Sequence, residues 1–510
     1  MTEVAAEPTR PARLRARVTD LLDLLSGLPA TTLRLARDHW ALLALLAIGG
    51  VLRLLVMVGY APALWYQGDS QGYLGLAYRE EPGVIRPYGY SFLLNLLLPF
   101  ESVRLMVLVQ HAAGLGLAAA AYALLQRRGV ARWVALLATV PLVLDARTVA
   151  LEHFLLAETL FTVLVTAGLV LLCWRDTPGW LACVVAGGLF GWAAVTRSVG
   201  LVALAVPLLY LILRRVPWLR VAAFASVVGV VLGGYLVWYH SFHGVYSFGT
   251  YGGRFLWSRT ATFVECDRLT LTDRERQLCP SQPLGERLPS DLYLWNGGGP
   301  NSDFPDRSYD PVFSSFARKA ILGQPLDFLA MVGTETWRTL RPGPPATERV
   351  ACVGEVWEFP VTEEQTTCRA HIAPFDPRRQ RFAGNATDHE HPLMAPLHTY
   401  SRVASVPATV VGLAFLLVVA LALVRPRAST WREHLDPLTF AGLGLGMIVV
   451  SVSTSTLDPR YSIPSLPLAM IGAALAWQRF RSTRTAPPPS APPAPAPSPE
   501  PRIVATGADH

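Results

Sequence analysis

Apolar runs of about 20 residues recur along this 510-residue chain, and a helix needs about that length to cross a bilayer. Ten such runs can be read, over 40–60, 103–125, 133–149, 154–174, 180–196, 198–213, 221–240, 402–424, 437–456 and 461–478. Hydrophobic residues make up 52% of the chain and charged residues 16%, with a mean hydropathy of +0.34, a balance that soluble domains rarely show. The sequence therefore predicts an all-α polytopic membrane protein of about ten transmembrane helices.

The net charge of +7 does not point to nucleic acid as a partner. The arginines fall in short loops between apolar runs and not along one stripe. Arg127, Arg128 and Arg132 follow the second run, and Arg175 the fourth. Arg214, Arg215 and Arg220 separate the sixth and seventh. Arg425, Arg427 and Arg432 separate the eighth and ninth, and Arg479, Arg481 and Arg484 follow the tenth. With ten spans all of these share the side of the N-terminus, which the positive-inside rule makes cytoplasmic. Both termini are then cytoplasmic. The short apolar stretch Tyr88 to Phe100 would break this pattern if it crossed, so it is read as a surface or re-entrant helix on the outer side.

The organisation that follows has five parts. Residues 1–39 form a cytoplasmic segment without the features of a cleaved signal, in which Leu21, Leu22, Leu24, Leu25 and Leu28 could make one face of an interfacial helix. Residues 40–240 hold seven spans, 241–400 a mixed extracytoplasmic domain, and 401–480 three more spans. Residues 481–510 form a Pro-rich tail expected to be disordered. Four of the six cysteines, Cys266, Cys279, Cys352 and Cys368, lie in the one large polar segment, which suggests two disulfides and an oxidising compartment. Local pairing, Cys266 with Cys279 and Cys352 with Cys368, is the expected connectivity among the three possible.

Sorting the polar residues by side places an unusual set on the outer face. Asp69 and Tyr73 follow the first span, and Arg86 opens Arg86-Pro87-Tyr88-Gly89-Tyr90. Asp145, Arg147, Glu152, His153 and Glu158 gather where the third run gives way to the fourth. Arg197 lies between the fifth and sixth, and Asp458, Arg460 and Tyr461 between the ninth and tenth. Ionisable groups near membrane depth are costly and usually line a polar cavity or pair with one another. Taken singly, Asp69 after Gly68 is also a common turn pattern, Glu158 is also a partner for Arg147 or Arg197, and His153 at a helix end more often bonds locally. Arg197 and Arg460 stand on the side that the topology rule disfavours, and a phosphate group is a natural partner for both. On a continuous helix Glu152 and Glu158 would stand about 120° apart, unless a bend intervenes. The chain has no P-loop, dinucleotide fingerprint, zinc-protease motif or nucleophile elbow.

Four segments together carry a family resemblance. Asp69 with Tyr73 and Leu74-Gly75-Leu76-Ala77 resembles the first-loop acidic motif of the polyprenyl-phosphate-sugar-dependent GT-C glycosyltransferases, which include protein O-mannosyltransferases and the aminoarabinose transferase of lipid A. Arg86-Pro87-Tyr88-Gly89-Tyr90 resembles their His-Pro-Pro-Gly-Tyr-Pro segment, with Arg86 in place of the histidine. Ala157-Glu158-Thr159-Leu160-Phe161 resembles their second acidic motif, and Asp458-Pro459-Arg460-Tyr461 their late Arg-Tyr motif. The segment 241–400 has no counterpart. The resemblance implies a GT-C fold and transfer of a sugar from polyprenyl phosphate to an acceptor hydroxyl of a glycan, lipid or protein, with inversion. Asp69, Glu158 and Glu152 are then the expected catalytic residues. Tyr73, Arg86, Tyr88, His153, Arg197, Arg460 and Tyr461 are the expected substrate-binding residues. A divalent cation, magnesium or manganese, on Asp69 and Glu158 stays an open alternative. A transporter, or a flippase or ligase for lipid-linked glycans, is the competing reading.

Overall fold

The computed structural model describes residues 37–66, 68–295, 299–343, 347–360, 391–424 and 431–485. The expected interfacial helix before residue 37, the Pro-rich tail beyond residue 485 and Cys368 lie outside them, while residues 481–485, expected to be disordered, are helical. The described residues contain helices and no strand beyond one isolated bridge between Leu64 and Phe154.

Helix α1 (Trp40–Gly59) is followed by two short helices, α2 (Asp69–Arg79) and α3 (Gly89–Leu97). Helix α4 (Val103–Arg127) leads to α5 (Arg132–Leu144), α6 (Ala146–His153), α7 (Ala157–Leu172) and α8 (Trp180–Thr196). Helices α9 (Ala205–Leu213) and α10 (Trp218–His243) complete the first half. The large polar segment contributes α11 (Gly252–Thr260), α12 (Asp310–Gly323), α13 (Pro325–Leu340) and α14 (Glu348–Val356). The chain closes with α15 (Met394–Val403), α16 (Ala408–Leu423), α17 (Leu435–Thr454) and α18 (Leu466–Thr485).

All ten apolar runs fall on helices. Among the described residues five helical stretches are long and apolar enough to cross a membrane, Trp40–Gly59, Val103–Arg127, Trp218–His243, Met394–Leu423 and Trp431–Thr454, and the bent pair α5–α6 would make six. Helices α7 and α8, at 16 and 17 residues, are shorter. The expected mixed domain contains helices and no strand among its described residues, around a core of Trp257, Phe313 and Phe316. Cys266 and Cys279 are bridged there, as expected, with their Cα atoms 6.3 Å apart. The expected Cys352–Cys368 pair falls partly outside the described residues.

Two breaks shape the site. The first is a 46° bend between α5 and α6. Asp145 caps α6 there, accepting from Thr148 N at 2.8 Å and Thr148 Oγ1 at 2.7 Å, and from Val406 N at 2.7 Å. The second lies between α6 and α7. Leu64 N donates to His153 O at 3.0 Å and Leu155 N to Leu64 O at 3.3 Å, so the loop after α1 occupies the gap. Gln110 of α4 holds both sides of it, donating to Glu152 O at 2.8 Å and Phe154 O at 2.9 Å. These bonds supply partners for backbone groups that the interrupted helices leave open, as a membrane interior demands.

Elsewhere small residues let helices close up. Gly187 and Gly191 stand one turn apart on α8, and a Cβ at Gly187 would meet Phe224 O of α10 at 2.7 Å. At the first turn of α17 a buried acid ties three elements together. Asp436 pairs with Arg214, lies 3.0 Å from Arg128 Nη2 and accepts from the Tyr210 hydroxyl at 3.1 Å. Replacing Asp436 with Leu leaves the largely buried Arg214 guanidinium without its carboxylate, while Arg128 keeps Asp176. It is expected to cost about 3 kcal/mol or more of stability, read as a lowered midpoint in thermal unfolding of the detergent-purified protein.

Candidate active site

Arg460 is the hub of the candidate site. It follows α17 in the turn Pro459–Tyr461, where Asp458 caps the turn by accepting from Arg460 N at 2.9 Å. The guanidinium Nη1 donates to Asp69 Oδ2 at 2.9 Å, and Nε lies 3.1 Å from Asp458 Oδ2 and 3.7 Å from Glu158 Oε1. Its carbon lies 5.3, 5.0 and 5.1 Å from the ring centroids of Tyr66, Trp357 and Tyr461. Stacking of this kind suits a planar, weakly hydrated cation.

Two further arginines complete the cluster. Arg86 pairs with the other oxygen of Asp69, and its carbon lies 5.8 Å from the Tyr73 ring centroid. Arg197 follows the end of α8, pairs with Glu158 and lies 5.4 Å from the Tyr461 ring centroid. Three carboxylates (Asp69, Glu158, Asp458) thus face three guanidinium groups (Arg86, Arg197, Arg460).

Each acid is placed by a local feature of the chain. Asp69 is the first residue of α2, where the helix dipole favours a carboxylate, and Gly68 before it adopts φ +80°, a conformation that glycine reaches without strain. Glu158 is in the first turn of α7, directly after the second break. Its Oε2 is buried without a hydrogen-bond partner. An apolar cavity lined by Leu117, Leu142, Leu151, Val163, Ile463 and Leu466 has both Glu158 and Glu152 in its wall. The break between α6 and α7 is the bend that lets two acids six residues apart border one space.

Burial pushes the Asp69 carboxyl up, but the charges and hydrogen bonds of Arg86 and Arg460 outweigh it and hold the group at about 2. Burial pushes the Asp458 carboxyl up, against the pull of Arg460. Burial with the neighbouring acids also raises the Tyr73 and Tyr66 hydroxyls above their ordinary range, so both stay protonated donors.

Not every expected site residue joins the cluster. Glu152 is 1% exposed and belongs to a second network. Arg53 of α1 grips both its oxygens, at 2.7 and 2.9 Å, and donates to Val143 O at 2.9 Å. His111 Nδ1 lies 2.9 Å from Glu152 Oε2, His111 Nε2 is 3.2 Å from His153 Nδ1, and His153 Nε2 donates to Tyr60 O at 2.9 Å. Glu152 and His153 thereby tie α1, α4 and α6 together. Gly114 makes room for this, since a Cβ there would fall 1.9 Å from Glu152 Oε1. Tyr88 packs edge-on against Trp238 at 4.8 Å, in an aromatic cluster with Tyr235 and Tyr239.

The cluster also contains residues that the sequence reading passes over. Trp357 Nε1 donates to Asp458 Oδ1 at 2.8 Å, and its ring lies tilted against Tyr66, 5.1 Å between centroids. Tyr66 lies three residues before Asp69, and an aromatic beside a candidate acid is a usable signal. In the second network Arg53 stands inside the first apolar run, and a charge there is a signal by itself. Trp357 offers none.

The residues do not fit a divalent cation. Among the described residues no group of three or more His, Cys, Asp or Glu side chains is placed to hold one. Asp69 and Glu158 are each in contact with two guanidinium groups, so a cation between them would face like charge.

No family model and no curated protein matches the chain. Among solved structures it is similar to the Archaeoglobus fulgidus oligosaccharyltransferase in its apo form, with a TM-score of 0.34 and 11% identity over 86% of this chain and 50% of that one. The chain thus spans half the length of that protein.

The depressed Asp69 carboxyl contributes stability above its unfolded value of about 4, and that contribution is lost as pH falls toward about 2. The gap in unfolding midpoint between the native protein and Asp69→Asn is therefore expected to be constant above about pH 5 and to close on acidification to pH 2 to 3. A gap that widened on acidification would contradict the pairing.

Proposed function

We propose that this protein is a membrane glycosyltransferase that moves a sugar from a polyprenyl-phosphate donor to a hydroxyl acceptor on the extracytoplasmic side, with inversion. The observation that carries the reading is Arg460, whose guanidinium contacts Asp69 and Glu158 together while three aromatic rings surround it. Arginine forks match phosphate oxygens, carboxylates accept hydroxyl protons, and aromatic faces cover the apolar faces of sugars. Few other substrates combine all three needs.

Without substrate Asp69 is a poor base, because two arginines stabilise its charge. A donor phosphate would compete for Arg460 and Arg197, and loss of a guanidinium partner would make Asp69 more basic. The acceptor oxygen then attacks the anomeric carbon as its proton passes to Asp69. The bond from the anomeric carbon to the phosphate oxygen breaks, and polyprenyl phosphate leaves with its charge held by Arg197 and Arg460. Glu158, with one oxygen on Arg197 and the other unpartnered, orients the acceptor hydroxyl. Glu152 holds the α6–α7 junction that aims Glu158. Tyr66, Trp357 and Tyr461 border the sugar. Trp357 comes from the large polar segment, through which that segment would shape the acceptor's approach.

The first test is mass spectrometry of envelope glycans and glycoproteins after deletion of the gene, where one missing sugar is expected. Complementation with Asp69→Asn that folds normally should leave transfer at least about 100-fold down. Full restoration by that variant sinks the assignment, as does lipid-linked sugar flux in proteoliposomes with no covalent product. Arg460→Met is expected to raise the donor KM by about tenfold or more, because it removes a charge-assisted phosphate contact. Steady-state transfer from purified lipid-linked sugar measures it.

A further inference from the structure

We infer that α13 (Pro325–Leu340) is a lipid-contacting helix that rests the large polar segment on the membrane, a role separate from glycosyl transfer. It is apolar on two faces, one turned inward and one outward. At 100° per residue, Leu326, Leu329, Ala330, Gly333 and Trp337 fall within about 100° of one another, and all five face outward. Leu326 is 78% exposed, Leu329 61% and Trp337 63%, and Leu322 at the end of α12 extends the stripe at 74%. The opposite face is largely apolar too, with Val332 buried and Phe328 packed beside Phe263, and it carries one acid. Glu335 points inward and accepts from the buried Arg259 Nη2 at 2.8 Å. Protein covers the inner face, and the outer apolar stripe needs an apolar partner of its own.

The occupant of the stripe follows from what lies beside it. Helix α13 packs along α16 and α17, both within candidate membrane spans. At its C-terminal end Thr409 Oγ1 of α16 donates to Arg341 O at 2.9 Å, and a Cβ at Gly412 would lie 3.1 Å from Leu340 Cβ. The outward residues of α16 just beyond this contact, Leu413 at 59% and Leu416 at 65% exposed, belong to a face that must meet acyl chains if α16 spans. Leu340, in line with the stripe at the end of α13, meets α16 at Gly412. Asp327 and Arg338, both exposed on the flank of the stripe, suit the polar headgroup level. At about 24 Å α13 is too short to cross, so it lies against a single leaflet.

The test uses the full-length protein in nanodiscs of phosphatidylcholine and phosphatidylglycerol. Leu326→Cys, Leu329→Cys, Asp327→Cys and Arg338→Cys are each labelled with an environment-sensitive fluorophore, with the unsubstituted protein setting the background from native thiols. Brominated acyl chains are expected to quench the labels at 326 and 329 about threefold more than those at 327 and 338, and iodide to show the reverse order. Equal iodide quenching at all four positions would overturn the inference. So would efficient cross-linking of two copies through position 326, because the stripe would then be a protein interface.

Discussion

Arginine pairing of buried carboxylates is the interaction on which this structure turns. Glu152, Glu158 and Asp436 are each about 97–99% shielded, and each is held by an arginine from a different helix or its flank, Arg53, Arg197 and Arg214 respectively. An unpaired charge at such depth costs several kcal/mol, so each pair obliges its two elements to meet. Arg53 with Glu152 joins α1 to α6, Arg197 with Glu158 joins the end of α8 to the start of α7, and Arg214 with Asp436 joins the end of α9 to the start of α17. Dispersion and small residues then fill what the pairs have positioned.

The same interaction is spent differently at the two ends of α17. At its first turn Asp436 has two arginines and a tyrosine hydroxyl, which leaves the carboxylate well satisfied. About 30 Å along the helix, the cluster around Arg460 is balanced in charge but less complete in hydrogen bonds. Glu158 Oε2 has no partner, and Asp69 keeps some contact with solvent at 16% side-chain exposure. A saturated cluster gives stability, whereas an unsaturated one can exchange a protein partner for a ligand. Helix breaks make the second kind possible, because Glu158 and Asp69 both begin helices and Arg460 sits in a turn.

Much of the helical framework was legible because apolar run length is a local property. The runs at 40–60, 103–125 and 221–240 became α1, α4 and α10 with shifts of a few residues. The bend within the run 133–149 was not legible, since in sequence Asp145 is one polar residue, while its bonds to Thr148 and Val406 make it the cap of a bend. Among the site residues, Asp69, Glu158, Arg86, Arg197, Arg460, Tyr73 and Tyr461 lie in one cluster. Glu152 and His153 were drawn in by their nearness to Glu158 along the chain, yet the break at Phe154–Leu156 turns them toward Arg53 and His111. Tyr88 shares a motif with Arg86 but points into the aromatic packing of α10.

The sequence by itself determined a helical membrane protein, the location of its polar interruptions and the residue types able to meet a phosphate and a hydroxyl. Those follow from hydropathy and from side-chain chemistry, which are local. Only the tertiary structure decided which acid meets which arginine. Arg460 and Asp69 are 391 positions apart, Arg53 and Glu152 are 99 apart, and Trp357 reaches the cluster from a segment with no motif. No periodicity encodes such separations, because they arise from how helices pack and from the requirement that every buried charge find its counter-charge.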